Sequence, residues 1–411
     1  MTTPANATAD IVIIGGGILG CAIAEALSRL AATRVVLIER HSLAEGNTTR
    51  AAALLTRARS ATCVMPLVRE TYRAIEMLES ELGEALGLRT VGSLHVAASR
   101  ETKRDLMELV KIARDAKLKP QWLDPLDAMA LAPWLCLEED EPAVFMPDDG
   151  FIDPYVLTHA YARAAKARGV IIWQDTAVTS IERAGDHITG VMTDRGLLAC
   201  PIVIDAAGVW AGLLSAQVGC ALPMAPVLSH YWLTAPHPLF PREQPIVILP
   251  EARAYTRPEG DGLLFGLREA QSVSVDPRTV PTDLNELALR TDREGWGCLI
   301  DSAPALLKFF PRLERIEIAH YVFGLSAYTP DGLFLLGGLP GLNGFLAATG
   351  CSGAGVAASG GIGLAVAELA LGQTSTFDLE PFRLDRFGAV DPLSADFQQR
   401  CAAARSKKTS G

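Results

Sequence analysis

The stretch IVIIGGGILGCAIAEALSRLAATRVVLIE, residues 11–39, decides the fold. Its first four residues are branched aliphatics, which read as a buried strand. The glycines that follow make a turn, residues 18–30 carry apolar side chains at helical spacing, and residues 35–39 read as a second strand. Strand, turn, helix and strand within about thirty residues make one βαβ unit, the opening of a doubly wound, mostly parallel α/β sheet. Gly15, Gly17 and Gly20 fill a GxGxxG pattern, in which the backbone can approach a pyrophosphate placed on the helix N-terminus. Glu39 ends the second strand nineteen residues after Gly20, where a carboxylate accepts hydrogen bonds from a ribose diol. A bare glycine pattern is weak. The whole series points to a dinucleotide, with Ile18, Leu19 and Arg40 among the residues around it.

Outward from that unit, a polar, Thr-rich turn at 46–49 precedes a helical stretch at 64–86. A strand at 91–97, a charged helix at 100–116 and Pro-punctuated loops leading to PDDGFIDP at 147–154 read as inserted material. A helix at 154–168, a strand at 170–173 and paired strands at 181–193 lead to the apolar run IVIDAAG at 202–208. Residues 223–322 are aromatic and alternating, with one charged helix near 282–301, and predict a second α+β domain built on an antiparallel sheet. Gly-rich apolar sequence returns at 324–372. The chain is therefore read as a discontinuous dinucleotide-binding domain (1–90, 141–222, 323–385), a substrate domain (91–140, 223–322) and a polar tail, 391–411, expected to be mobile.

At 411 residues and 49% hydrophobic content the chain can bury a large core. A net charge of −10 and scattered Lys and Arg argue against nucleic acid as a partner, since phosphate binding needs a basic face. The eight cysteines form no CxxC pair and no metal spacing, so no metal is expected and a reducing, cytoplasmic setting is the simplest reading. Residues 345–367 carry no charge and are long enough to imitate a membrane span. Their Gly and Ser content instead fits a strand, turn and helix closing on a ligand, so no transmembrane segment is expected.

The series of motifs carries a resemblance. Residues 11–39, GNTTRAAAL (46–54), PDDGFIDP, VIDAAGVWA (203–211), SHYWLTAP (229–236), YTPDGLFLLG (328–337) and GFLAATGCSGAGVAASGGIGLAVAELALG (344–372) resemble the D-amino-acid oxidase superfamily of FAD enzymes. The nearest likeness is to its sarcosine oxidase and dimethylglycine dehydrogenase branch, without the folate-binding module of the latter. The resemblance implies FAD bound by Gly15, Gly17, Ile18, Leu19, Gly20, Glu39, Arg40, Thr48, Thr49, Arg50, Ala51, Ala52, Val178, Ala207, Gly208, Trp210, Asp331, Gly350, Ser352, Gly353, Ala354, Gly355 and Val356. It also implies oxidation of the carbon–nitrogen bond of a small secondary or tertiary amine or N-methyl amino acid by hydride transfer to flavin N5, giving an iminium that water hydrolyses.

The departures from the family pattern carry implications too. Arg50 stands where several members attach FAD through His, and Gly324 where monomeric sarcosine oxidases use Cys, so FAD is expected to be noncovalent. Ala357 stands where the resemblance puts the oxygen-activating Lys, which leaves the electron acceptor as O2 or a partner protein. Ser326 stands near the position of the Arg that grips the substrate carboxylate in glycine and D-amino-acid oxidases, so any carboxylate recognition must come from elsewhere. Aligning the HQY motif puts Ser229 at the position of its His and His230 one place along.

The cofactor end can also be read physically: residues 351–361 should set backbone amides and a helix N-terminus beside the flavin pyrimidine, where close helix packing is the competing account of the glycines. Asp331 is either a ribityl partner or a turn former. His230, Tyr231, Tyr255 and Tyr328 are candidate substrate-side groups, and a lone His at a strand edge is more often a structural hydrogen-bonder. Arg57, Arg59, Arg257 and Arg268 are candidate carboxylate clamps, each equally readable as an ordinary ion pair. A hydroxy-acid or D-amino-acid dehydrogenase, and a flavin-bearing subunit of a hetero-oligomer, stand as alternative functions.

Overall fold

The computed structural model of the chain describes residues 7–287 and 295–408. Two sheets organise it. The first has six strands in the order Leu335–Gly337, Phe345–Thr349, Ile202–Asp205, Ile11–Ile14, Val35–Ile38 and Ile171–Trp173, parallel throughout except at the Leu335–Gly337 edge. Strands Ile11–Ile14 and Val35–Ile38 are wholly buried, because helices cover one face and the three-stranded sheet of residues 178–199 with its neighbours covers the other.

The helices Ile18–Leu30, Met65–Leu82, Pro154–Ala167 and Ser359–Ala370 stack against one another. Their contact is backbone-close. A Cβ on Gly360 would lie 2.7 Å from Thr71 Cα, one on Gly361 2.3 Å from Leu67 Cα, and one on Gly363 2.7 Å from the Ala22 carbonyl oxygen. Helix packing thus accounts for the glycines inside helix Ser359–Ala370, and only those in the preceding loop remain for a ligand. The uncharged segment 345–367 resolves into the strand Phe345–Thr349, a loop and the first part of that helix. Among the described residues, no helix is long and apolar enough to cross a membrane.

The second sheet has eight strands in the order Ile318–Tyr328, Ala225–Thr234, Gly262–Leu267, Ala254–Glu259, Ile246–Leu249, Ser93–Val96, Ala143–Met146 and Gln121–Leu123. It is antiparallel except where Ile246–Leu249 runs parallel to Ser93–Val96. Two expected boundaries shift as a result. Ala143–Met146 pairs with Ser93–Val96 and belongs to this sheet rather than to the first, and Ile318–Tyr328 crosses the boundary expected at residue 323 as one continuous strand. The helix expected near 282–301 is a short 3-10 turn at Leu284–Glu286 and a helix at Trp296–Phe309, with its middle outside the described residues.

Within the described residues, which run to 408, the segment expected as a mobile tail, 391–411, carries a docked helix. Ser394 caps the helix Ala395–Ser406 by accepting from the Phe397 amide, and Phe397, Cys401 and Ala402 pack with Ala225, Val227 and Tyr328 of the second sheet. Polarity misled the reading, because the helix is polar on average while one short apolar side is fully covered.

The glycine turn is the tightest point of the fold. Gly15 has φ +106°, and a Cβ on Gly20 would sit 1.9 Å from the Gly15 carbonyl oxygen, a distance that only backbone displacement can relieve. Gly20→Ala is expected to cost about 3 kcal/mol or more, read as a lowered midpoint in chemical unfolding. An unchanged midpoint would refute this account of the turn.

Candidate active site

A cavity of about 540 Å³ lies at the carboxyl ends of the parallel strands and reaches the face of the second sheet. That is where open α/β sheets bind ligands. At its first end are Gly15, Gly17, Ile18 and Leu19, so the start of helix Ile18–Leu30, whose first-turn amides have no acceptor within the helix, faces it. Thr48 Oγ1 accepts from the Ile18 amide at 3.1 Å. Glu39 accepts from the Gly16 amide (2.7 Å) and the His41 amide (2.9 Å), and its carboxylate is fixed at the cavity wall. Beyond it, the Arg40 guanidinium lies 3.8 Å from the Trp210 ring centroid, and Arg50, Ala51, Ala52, Val178, Ala207 and Gly208 complete this part of the lining.

Arg50 is held by the carbonyls of Glu45 and Gly46, each at 2.6 Å, and by Asn285 Oδ1. The loop before helix Ser359–Ala370 contributes Cys351, Gly353, Gly355, Val356 and Ala357. Asp205 supports the opposite turn from below, and reading the sequence motif by motif missed it. It is fully buried, accepts from the Ser215 hydroxyl (2.6 Å) and the Ala207 amide (3.1 Å), and burial pushes its carboxyl up to about 7. The one signal was an acid ending an otherwise apolar strand.

At the far end the cavity is aromatic and basic, lined by Ser229, His230, Tyr231, Tyr255, Arg268, Ser326, Tyr328, Arg405 and Lys408. Burial raises the phenols of Tyr255, Tyr328 and Tyr231, the last to about 12, so they stay neutral. His230 is 4% exposed and engaged on both sides: Nδ1 is 3.1 Å from the Tyr321 hydroxyl and Nε2 3.1 Å from Glu269 Oε1. Burial raises the Glu269 carboxyl, but the His230 hydrogen bond and the Arg405 charge outweigh it and hold it at about 2. Arg405 also donates to the Leu267 carbonyl (2.9 Å), Ser272 Oγ (2.9 Å) and Ser229 Oγ (3.2 Å).

Several expected site residues lie elsewhere. Arg57 covers the Tyr72 ring at 3.5 Å and donates from Nε to the Asp148 carbonyl. Arg257 donates to the Ala52 and Pro258 carbonyls and pairs with Glu259. Neither lines the cavity, so each serves the structure as a brace between loops. Asp331 pairs with Arg386 at 2.8 Å, accepts from the Leu333 amide and does not line the cavity. Thr49 is exposed. Gly20 lies under the glycine turn, and Gly350, Ser352 and Ala354 shape the loop behind the lining without being part of it. Arg59 is fully enclosed near Asp149 and Tyr72, away from the cavity wall. Arg268 does line the cavity, at 5.3 Å from the Tyr255 ring.

Comparison with known proteins places this geometry in context. The FAD dependent oxidoreductase family model matches residues 10–369. The chain is 29% identical over 388 residues to a mitochondrial dimethylglycine dehydrogenase of Rattus norvegicus, covering 92% of this chain and 45% of that one. It is 28% identical over 390 residues to human mitochondrial sarcosine dehydrogenase, covering 93% and 42%. The chain thus spans about half the length of these curated relatives. The crystal structure of glycine oxidase from Geobacillus kaustophilus superposes with a TM-score of 0.78 at 27% identity, covering 94% of this chain and 100% of that one.

The raised Asp205 carboxyl has a thermodynamic consequence. A group whose folded pKa exceeds its unfolded value binds a proton in the folded state between those two values, so stability falls as pH rises from about 4 to about 7 and is level above that. Asp205→Asn keeps the acceptor for the Ala207 amide and removes the charge. It is expected to gain roughly 2 kcal/mol over the wild type at pH 8 relative to pH 5, measured by paired urea unfolding curves. Parallel losses at both pH values would contradict it.

Proposed function

Since the chain belongs to the FAD-dependent oxidoreductase family, we propose that it oxidises the carbon–nitrogen bond of a small secondary or tertiary amine, an N-methyl amino acid of the sarcosine or dimethylglycine kind. One observation carries the reading. A single cavity runs from a glycine turn, with a helix N-terminus and a fixed carboxylate, to a buried end walled by neutral phenols and cations.

The residues at the first end fit FAD. Gly15 and Gly17 line the cavity, and without side chains the turn packs close enough to its neighbours to hold the helix N-terminus there: a Cβ on Gly15 would meet the Ala206 carbonyl oxygen at 2.6 Å, and one on Gly17 would come within 3.2 Å of Thr48 Oγ1. The helix amides supply positive potential there, Glu39 would take the ribose hydroxyls, and the loop 351–357 would line the flavin. The family relation supplies the cofactor, and two features support noncovalent retention. Arg50 is committed to backbone carbonyls, and burial pushes the thiol of Cys351, on the cavity wall, up to about 12, so it is not a ready nucleophile.

FAD, when bound, supplies the acceptor for the hydride that leaves the carbon beside nitrogen, and water hydrolyses the resulting iminium. The chain's own residues prepare the amine. Tyr231, Tyr255 and Tyr328 enclose it and exclude water, and desolvation lowers an ammonium pKa. Positive charge from Arg268 and Arg405 acts in the same direction, so the amine is bound in the neutral form that can release a hydride. The His230–Glu269–Arg405 chain fixes the floor of this end.

The test is anaerobic. The yellow holoenzyme is mixed with panels of N-methyl amino acids and of 2-hydroxy acids, and flavin absorbance is followed. Bleaching by an N-methyl amino acid at rates of seconds or faster is expected. Bleaching by hydroxy acids alone, or a chain that takes up no flavin, would overturn the reading.

A further inference from the structure

We propose that the C-terminal segment completes the substrate site, with Lys408 as the group that pairs with a carboxylate on the amine, so that the substrates are amino acids rather than bare amines. The inference rests on the amine-oxidation reading above and names the residue that selects the substrate class.

Helix Ala395–Ser406 brings the end of the chain across the second sheet to the mouth of the loop 351–353. Arg405 is locked there by four partners, Glu269, Ser272, Leu267 and Ser229, which leaves it little freedom to reach a ligand. Lys408, one turn on, lines the cavity with a different commitment. Its Nζ donates to the Ser352 carbonyl at 2.9 Å; an ammonium has three donors, and among the described residues no other hydrogen bond and no ion pair uses the remaining two. The charged groups acting on it are Arg59, Arg268 and Arg405, all cationic, and they and burial hold its pKa well below the usual lysine range.

A buried lysine that feels three guanidinium groups and has no carboxylate partner of its own among the described residues raises the free energy of the site. An incoming carboxylate lowers it, restores the charged ammonium and gains a charge-assisted hydrogen bond. The surroundings agree with this use. A Cβ on Gly353 would lie 3.3 Å from Lys408 Nζ and 2.9 Å from the Tyr328 hydroxyl, so the ammonium, the phenol and the loop that would line the flavin meet at one point. A carboxylate paired there holds the substrate's other end against the same wall. Arg405, by contrast, is a positioning residue: it pins the helix that presents Lys408.

Acetate serves as the probe because it carries the carboxylate and nothing else. Holoenzyme is titrated with it, and the perturbation of the flavin absorption band gives the dissociation constant. Lys408→Met is expected to weaken acetate binding about tenfold or more, with flavin content unchanged, while Lys408→Arg retains most of the affinity. A chain ending at Ser406, which keeps the whole helix, is expected to behave as Lys408→Met does.

Equal acetate affinity in Lys408→Met and wild type would overturn the proposal. So would loss of flavin in that variant, which would make Lys408 part of the cofactor site, or a wild type indifferent to acetate. A wild-type chain that takes up no flavin, or whose flavin no amine bleaches, instead fails the preceding reading, so the two failures are distinguishable.

Discussion

Everything at the cofactor end depends on backbone meeting backbone at the glycine turn. Gly15 lies against the Ala206 carbonyl and Gly20 against Gly15 itself, closer than any Cβ would allow. That contact sets where helix Ile18–Leu30 starts, and therefore where its first-turn amides point. It also joins the turn to the end of strand Ile202–Asp205, so the two walls of the cleft are fixed relative to one another. Asp205 then holds the second wall by bonding the Ala207 amide and the Ser215 hydroxyl, at the cost of a carboxyl kept neutral by burial at pH values where an exposed acid would ionise.

Much of this was legible because it is local. A strand, three glycines at fixed spacing, a helix and a terminal acid lie within residues 11–39, and each has a stereochemical reason that survives without tertiary information. The late glycine-rich stretch was legible only in part. Gly360, Gly361 and Gly363 serve helix contact, whereas Gly353 and Gly355 face the cavity, and composition cannot divide them because both uses require the same missing side chain. The structure divides them by neighbour: backbone and side chains of residues 22, 67 and 71 for the first group, and the cavity-wall side chains of Tyr328, Lys408 and Cys351 for the second.

The far end was poorly legible for a physical reason. Arginine reads alike in sequence whether it clamps a ligand or ties loops together, and Arg57 and Arg257 proved to be ties, each donating to main-chain carbonyls across a long sequence separation. Asp331 had the same ambiguity and went to Arg386. His230 and Arg268 did fall on the wall: His230 lies within strand Ala225–Thr234, and Arg268 directly follows strand Gly262–Leu267 beside it. The basic groups that face the cavity beside them come from the other end of the chain, where a polar helix of low apolar content gave no periodic signal.

Positive potential at the first end comes from helix amides, which are fixed and cannot titrate. At the far end the guanidinium groups stay charged, but the charge of Lys408 depends on what is bound beside it, since burial and the positive charge of Arg59, Arg268 and Arg405 act on it. A rigid positive end suits a cofactor that stays through many turnovers. A titratable positive end suits a ligand that arrives charged and leaves as a different molecule, because the cost of gathering the cations is relieved on binding and returns on release. The Arg405–Glu269–His230 chain separates these behaviours: with Glu269 held anionic between Arg405 and His230, the floor of the pocket keeps its charge fixed while Lys408 responds to the ligand.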